Sequence, residues 1–306
     1  MSRNLTSIRN LKQSEIQDLL KLAAEFKKGI NHDTPMKSHG NKVIGLLFFE
    51  NSTRTRVSFE QAANYLGYRV SSFAAQSSSL SKGETLKDTL LTLKGERLDA
   101  LVMRHRSSGS ANLAARFFGG PIVNAGDGEH EHPTQALGDA LTILEKKRHF
   151  QGLKVAIVGD ILHSRVARSN AWLLSKMGAE LHFVGPKMLM PTDGGRLPGA
   201  IHHDLLAGIE GADVIMCLRL QKERMSDGLL SSVGEFRRMY QVNRETLKVA
   251  KDDCLVMHPG PLNRGIELDD FAADGPNSVI HRQVENGIFV RMAALHWVFE
   301  GNGESK

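Results

Sequence analysis

Cysteine is nearly missing from this chain: two in 306 residues, Cys217 and Cys254. Without a C-x-x-C pair a zinc site has no support, and both thiols stand in apolar, strand-like runs, where they read as reduced and buried. No apolar run approaches the roughly 18 residues that a membrane span needs, and the N-terminal residues show no signal h-region, so the expected setting is the cytoplasm. Internal repeats and low-complexity tracts are lacking too. So is any block of like charge. The net charge is +5, but Lys and Arg are dispersed rather than run together. That argues against a nucleic-acid-binding tail and for basic pockets aimed at small anions.

What is present is an alternation. With 41% hydrophobic and 24% charged residues the composition is that of a soluble globular protein, and 306 residues are enough for two domains. Strand-like runs at Lys42–Phe49, Arg69–Phe73, Ala100–Met103 and Pro121–Asn124 alternate with helical patterns at Val57–Leu66, Thr85–Lys94, Asn112–Phe118 and Thr134–Lys147. A second set begins with a strand at Lys154–Gly159. It continues with a helix at Val166–Met177, strands at Glu180–Val184, Ala212–Leu218 and Cys254–Met257, and a terminal helix at Gln283–Phe299. The fold class is therefore α/β: two doubly wound parallel-sheet domains, with the polar break His149–Gly152 as the boundary. Stacked, they are expected to hold the active site in a cleft where the carboxyl ends of both sheets meet.

The run Ser52-Thr53-Arg54-Thr55-Arg56 sits between the first strand and a helical pattern that stops at Gly67, a natural C′ residue. It thus joins the carboxyl end of a strand to the N-terminus of a helix, where unsatisfied N–H groups and the macrodipole favour an anion. Its hydroxyls can cap or donate, and its guanidiniums can fork onto oxyanions, so the segment reads as a phosphate or carboxylate site.

Other strand ends agree. Arg104 follows LVM, and His132 follows IVN and a glycine-rich loop. Asp160–Arg165 follows KVAIVG, Arg219 and Gln221 follow VIMCL, and His258-Pro259-Gly260-Pro261 follows CLVM. Taken singly, each has a plainer reading: a surface ion pair for an arginine, a helix cap for His132, a turn or N-cap for Asp160, a solvated loop lysine for Lys82. Arg56 and Glu84 can be structural partners. Taken together, cationic and hydrogen-bonding groups fill the strand ends while carboxylates are scarce there, which suits a pair of anionic substrates better than acid hydrolysis. The segment Val155–Arg168 also resembles a dinucleotide-binding unit. It has one glycine, Gly159, where that fingerprint wants three, and the following strand ends in Gly185-Pro186 rather than an acidic residue, so an NAD enzyme is a weak reading.

The stretches FFENSTRTRVSFE, SKGETLKDT, VMRH, HPTQALGDALTI, VGDILHSRVARS, LRLQKER and MHPGPLNRGIEL resemble, in this order, those of the aspartate carbamoyltransferases, from about Leu5 to Phe299. The S-T-R-T-R and H-P-T-Q motifs are shared with ornithine carbamoyltransferases and point to carbamoyl phosphate. The acceptor is decided later, where His258–Pro261 and Arg219-Leu220-Gln221 follow the aspartate pattern rather than H-C-L-P and S-M-G. Arg165 and Arg219 can hold two carboxylates, whereas ornithine would need a carboxylate for its ammonium group.

The resemblance implies transfer of the carbamoyl group of carbamoyl phosphate to L-aspartate, an early step of pyrimidine synthesis, with no cofactor and no metal. It implies a carbamoyl phosphate-binding domain over residues 1–148, with the terminal helix at about 283–306 packing back on it, and an L-aspartate-binding domain over 149–282. Ser52, Thr53, Arg54 and Thr55 would cradle the phosphate. Arg104, His132 and Thr55 would donate to the carbonyl oxygen. Gln135 and the carbonyls of Gly260 and Pro261 would hold the carbamoyl amide and the incoming amine. Arg165, Arg219 and Gln221 would bind aspartate. Lys82, with Ser79 or Ser78, would enter the site from a neighbouring subunit, which makes a homotrimer obligatory. A regulatory chain or a dihydroorotase is the further assembly open to such a trimer, and neither nucleic acid nor membrane is an expected partner. The family often carries a larger residue at Gly260. Two other classes stay open: a carbamoyltransferase with a different acceptor, and a non-catalytic scaffold of the same fold.

Overall fold

The computed structural model describes residues 3–30, 41–74, 84–192, 197–220 and 232–300. Lys82, Ser78, Ser79 and Gln221 lie outside the described residues. The chain forms two compact units, Met1–Leu141 with Glu285–Lys306, and Thr142–Val284.

The first unit contains α1 (Gln13–Gly29), β1 (Val43–Phe48), α2 (Thr53–Tyr65), β2 (Arg69–Ala74), α3 (Leu86–Gly95), β3 (Ala100–His105), α4 (Ser110–Phe117) and β4 (Ile122–Asp127). The helix α5 (Pro133–Lys147) runs across the first boundary. Its four strands are all parallel, in the order β2-β1-β3-β4. The inner residues of β1 and every residue of β4 are buried, as expected of a parallel sheet covered on both faces. Leu47, Leu101 and Met103 pack with Leu90, Leu93, Phe118 and Ile122 in one core layer.

The second unit contains β5 (Lys154–Val158), α6 (Arg165–Lys176), β6 (Glu180–Val184), β7 (Ala200–His202), α7 (Leu205–Ile209), β8 (Val214–Cys217), α8 (Val233–Tyr240), β9 (Leu255–Met257) and α9 (Asp270–Asp274). The helix α10 (Ile280–Glu300) carries the second boundary. This sheet is also fully parallel, in the order β7-β6-β5-β8-β9. Ala156, Ile215 and Val256 pack with Phe236, Tyr240 and Leu268. Both cysteines lie in this core, unpaired; burial pushes the Cys217 thiol up and the Cys254 thiol to about 12, so they are inert packing groups.

The sequence reading leaves out α1, β7, α7, α8 and α9. The buried set Ile16, Leu19, Leu20, Ala23 and Phe26 gives α1 a clear helical spacing that was available in the sequence. The other four span three to eight residues, too short for periodicity to resolve. Gly159 has its own explanation. Its φ is +128°, and a Cβ there would stand 3.1 Å from the Leu218 carbonyl oxygen. The glycine lets the ends of β5 and β8 approach, which needs no pyrophosphate.

Candidate active site

Each sheet has one place where the strand order reverses. In the first unit the chain steps from β1 outward to β2, then returns to place β3 on the other side of β1. In the second it steps from β5 to β6 and β7, then returns to place β8 beside β5. Ligands of open α/β sheets bind outside the carboxyl ends of strands at such points. Residues 52–56 and Arg104 flank the first reversal, and Asp160–Arg165 and Arg219 flank the second.

At the first reversal α2 begins four residues earlier than the sequence pattern suggested, so Thr53, Arg54 and Thr55 form its first turn, with Ser52 at the N-cap. The Ser52 hydroxyl donates to Thr55 Oγ1 at 2.9 Å instead of capping a backbone N–H. No acidic residue occupies the first turn. The end of α2 therefore carries its positive dipole with no acid in its own first turn and with a hydroxyl pair set into it. Arg54 is exposed and Thr55 is buried. Arg56 stands 3.9 Å from Glu60, one turn along α2, which fits its structural reading.

Arg104 is the fifth residue of β3 and pairs in register with Phe48 of β1, so it belongs to the strand rather than following it. Its Nη1 donates to the Ala125 carbonyl at 3.1 Å, and its Nε lies 3.1 Å from Glu50 Oε2. The guanidinium is thus tied at two of its nitrogens. His132 is buried immediately before α5, and its carbonyl accepts from Gln135 N–H at 3.0 Å. The loop that carries it is fixed by two buried carboxylates. Asp127 accepts from Gly109 N–H, Asn124 Nδ2 and Glu131 N–H at 2.8, 2.7 and 3.1 Å. Glu131 accepts from the Ser7 hydroxyl and from Ile8 and Arg9 N–H.

Gln135 Nε2 donates to Asp139 Oδ1 at 2.8 Å, one turn further into α5, and Asp139 is fully buried. Arg291 of α10 lies near it. Burial pushes Arg291 down to about 10, and the Asp139 charge opposes that drop. Arg291 Nη1 also donates to Ser58 Oγ of α2 at 3.0 Å, with its guanidinium 5.3 Å from the Phe59 ring centre.

In the second unit the buried Asp160 accepts from His163 N–H at 3.1 Å, with His163 Nδ1 3.0 Å away. This closes the turn ahead of Ser164, the N-cap of α6, whose hydroxyl accepts from Ala167 N–H at 3.1 Å. Arg165 is the first residue of that helix. Arg219 follows β8 and leads into the buried Leu220. After β9, the buried His258 donates its N–H to Gln283 Oε1 at 2.9 Å and accepts from Gly260 N–H on Nδ1 at 2.8 Å. Gly260 has φ +68°, a conformation that a larger residue adopts only with strain, so the glycine at this position fits its own backbone.

The expectation that carboxylates are scarce at these strand ends needs correction. Glu50, Asp127 and Asp160 stand at the ends of β1, β4 and β5, turned toward the chain's own donors. Sequence reasoning missed Glu50, Asp139 and Glu267 as supports of site residues. A carboxylate that serves another protein group leaves no local signal of its partner. Among the described residues no group of three or more His, Cys, Asp or Glu is arranged to hold a metal ion, and no helix is long and apolar enough to cross a membrane.

Residues 3–145 match the family described as aspartate/ornithine carbamoyltransferase, carbamoyl-P binding domain, and residues 151–298 match its Asp/Orn binding domain. The chain is 50% identical over 304 residues to the aspartate carbamoyltransferase catalytic subunit of Rhodospirillum rubrum, covering 98% of this chain and 94% of that one. It is similar in structure to aspartate transcarbamoylase from Trypanosoma cruzi in complex with carbamoyl aspartate and phosphate, with a TM-score of 0.86 and 33% identity over 96% and 95% of the two chains. It is also similar to ornithine carbamoyltransferase from Pyrococcus furiosus, with a TM-score of 0.83 and 31% identity over 96% of each chain.

Proposed function

The chain belongs to the aspartate/ornithine carbamoyltransferase family, and within it we propose the following roles for its residues. The reaction is transfer of the carbamoyl group of carbamoyl phosphate to the amine of L-aspartate, giving N-carbamoyl-L-aspartate and phosphate. The unit built on β1–β4 is the carbamoyl phosphate-binding domain, and the unit built on β5–β9 is the L-aspartate-binding domain. The N-terminus of α2, with Ser52, Thr53, Arg54 and Thr55, holds the phosphate. The observation that carries this assignment is the α2 end itself: no side-chain cap, no acid in the first turn, and the Ser52–Thr55 hydroxyl pair at 2.9 Å.

The aspartate amine attacks the carbonyl carbon, and negative charge builds on the carbonyl oxygen. Arg104, His132 and Thr55 donate to that oxygen; one preorganised donor of this kind is typically worth about 3–4 kcal/mol. Glu50 and the Ala125 carbonyl hold Arg104 at Nε and Nη1, which keeps its other donors oriented. Gln135 and the carbonyls of Gly260 and Pro261 hold the carbamoyl amide and the amine. As the new C–N bond forms, the C–O bond to phosphate breaks. The departing phosphate takes the electron pair, is stabilised by Arg54 and the α2 terminus, and accepts the amine proton. Arg165, Arg219 and Gln221 bind the two carboxylates of aspartate. Lys82, with Ser79, completes the phosphate side from a neighbouring subunit of a homotrimer, and Lys82 also reaches the aspartate. A cytoplasmic place in pyrimidine synthesis goes with this reading.

A substrate panel of L-aspartate, L-ornithine and N-acetyl-ornithine tests the acceptor. Turnover is expected with L-aspartate alone, and turnover of either basic amino acid would overturn the assignment of Arg165 and Arg219. Light scattering reads the trimer; a monomer active at assay concentration would remove Lys82 and Ser79 from the site.

A further inference from the structure

Leu220 is held by all of its polar backbone and by its side chain. Its N–H donates to Glu267 Oε1 at 2.7 Å, and its carbonyl accepts from Asn263 Nδ2 at 3.1 Å. The same Nδ2 donates to Glu267 Oε1 at 2.7 Å, and the Asn263 N–H donates to Glu267 Oε2 at 3.0 Å. The Leu220 side chain is buried in the core of the second unit. Glu267 is anchored in turn: its carbonyl accepts from Val242 N–H at 2.9 Å, and it is only 2% exposed. One buried carboxylate thus ties the chain just past Arg219 to the chain just past Gly260 and Pro261. Both segments lack regular structure, so no ladder or helix fixes them.

A carboxylate is a poor choice for stability at such a place. Removing it from water disfavours the charged form, and its pKa is raised by burial despite the donors from Leu220 and Asn263. An apolar side chain of similar volume would serve the core as well, but it could not accept three hydrogen bonds from two separate segments.

We propose that Glu267, acting with Asn263, is a positioning residue of the acceptor site: it sets the backbone at Leu220 from which Arg219 projects, and joins it to the loop that carries Gly260 and Pro261. It acts through those groups, with no contact to either substrate. The proposal rests on the assignment of Arg219 to L-aspartate made above. It places acceptor affinity under the control of a group buried in the second unit and far from Arg219 in sequence.

The test compares Glu267→Gln, Asn263→Ala and Arg219→Ala in steady-state kinetics, with thermal unfolding of each variant. Glu267→Gln keeps one acceptor oxygen but turns an amide NH2 toward a donor. Asn263→Ala removes only a half-buried side chain. Both are expected to raise KM for L-aspartate about tenfold, with kcat changed less than about threefold and carbamoyl phosphate affinity within about twofold. Inhibition by succinate, a dicarboxylate without the amine, is expected to weaken in parallel. The double variant is expected to be no worse than the more severe single one, since both act on one backbone segment. If Arg219→Ala raises KM for aspartate while folded Glu267→Gln and Asn263→Ala leave it unchanged, the positioning role is overturned and the aspartate assignment stands. If Arg219→Ala leaves that KM unchanged, the assignment falls and the proposal with it. Should Glu267→Gln fail to fold, Asn263→Ala decides: a rise in the carbamoyl phosphate KM instead of the aspartate KM overturns the proposal.

Discussion

In the unit built on β1–β4, the groups proposed to bind anions stand on or beside regular elements. Thr53, Arg54 and Thr55 form the first turn of α2, Arg104 is inside β3, and Gln135 is in the first turn of α5. In the unit built on β5–β9, Arg165 opens α6, but Arg219 and the Gly260–Pro261 carbonyls stand on irregular chain. The two constructions solve different problems. Backbone N–H groups at a helix end are fixed by the helix itself, so a phosphate site can be largely local in sequence. A guanidinium on irregular chain must be aimed from elsewhere; what the structure shows at this point is the Leu220 backbone held by Glu267 and Asn263, which is the basis of the positioning role proposed for them. The helix end carries its own geometry, whereas a group on irregular chain depends on what holds that chain.

The largest test of that contrast is Arg54→Ala. Loss of one charge at the phosphate is expected to lower kcat by a factor on the order of 100 or more while the melting curve stays in place, because the side chain is exposed. Near-normal kcat would remove the phosphate from α2. Next comes Arg291→Leu. It takes away the hydrogen bond to Ser58 Oγ and the positive charge that acts on the buried Asp139. A loss of about 3–5 kcal/mol in denaturant unfolding is expected. The carbamoyl phosphate KM should rise, because Asp139 orients Gln135. An aspartate KM that rose instead would contradict the separation of the two sites. Gly287→Ala is a smaller version. A Cβ there would stand 2.4 Å from Arg291 Nη1, so the guanidinium must shift, while replacing a mid-helix glycine returns about 1 kcal/mol; denaturant unfolding should therefore show a smaller loss than Arg291→Leu.

The same contrast decides what could be read from the sequence. Ser52–Arg56 was legible as a strand-to-helix junction because strand, turn and helix N-terminus are contiguous, and the parallel sheets were legible because buried strands are continuously apolar. Arg104 and His132 stood out in the sequence after apolar strand runs; Arg104 proves to be the fifth residue of β3, and His132 stands immediately before α5. Glu50, Asp139 and Glu267 did not stand out, because each partner is defined by folding: Glu267 meets Leu220 from 47 residues away. The short elements β7 and α9 escaped for lack of length, and α1 was available in its own spacing. Gly159, already weak as part of a nucleotide fingerprint for want of the other glycines, is explained by close approach: a Cβ there would stand 3.1 Å from the Leu218 carbonyl oxygen.

The smallest expected effect concerns the edge of the second sheet. His182 of β6 and His202 of β7 stack with ring centres 5.0 Å apart, and their Nδ1 and Nε2 atoms are 2.8 Å apart. Both are held below the ordinary histidine value, first by burial and then by the charge of Lys154. A depressed pKa in the folded state means that the unfolded chain binds more protons as pH falls through about 6.5, so this pair favours folding above that pH and loses its contribution below it. Protonation also removes the ring acceptor on which the 2.8 Å contact depends. In the other unit His105 of β3 is also lowered, by burial and Arg106; the β6–β7 edge differs in setting two such rings against each other, so it is expected to lose more to acid. Hydrogen exchange at about pH 5 against about pH 7.5 should show β6 and β7 amides losing protection before those of β1 and β3, by a modest factor because both rings are partly exposed. His202→Gln should flatten that response, since Gln keeps a polar group without the titration. Equal loss across both sheets, or a response unchanged in the variant, would show that acid sensitivity does not follow the pair.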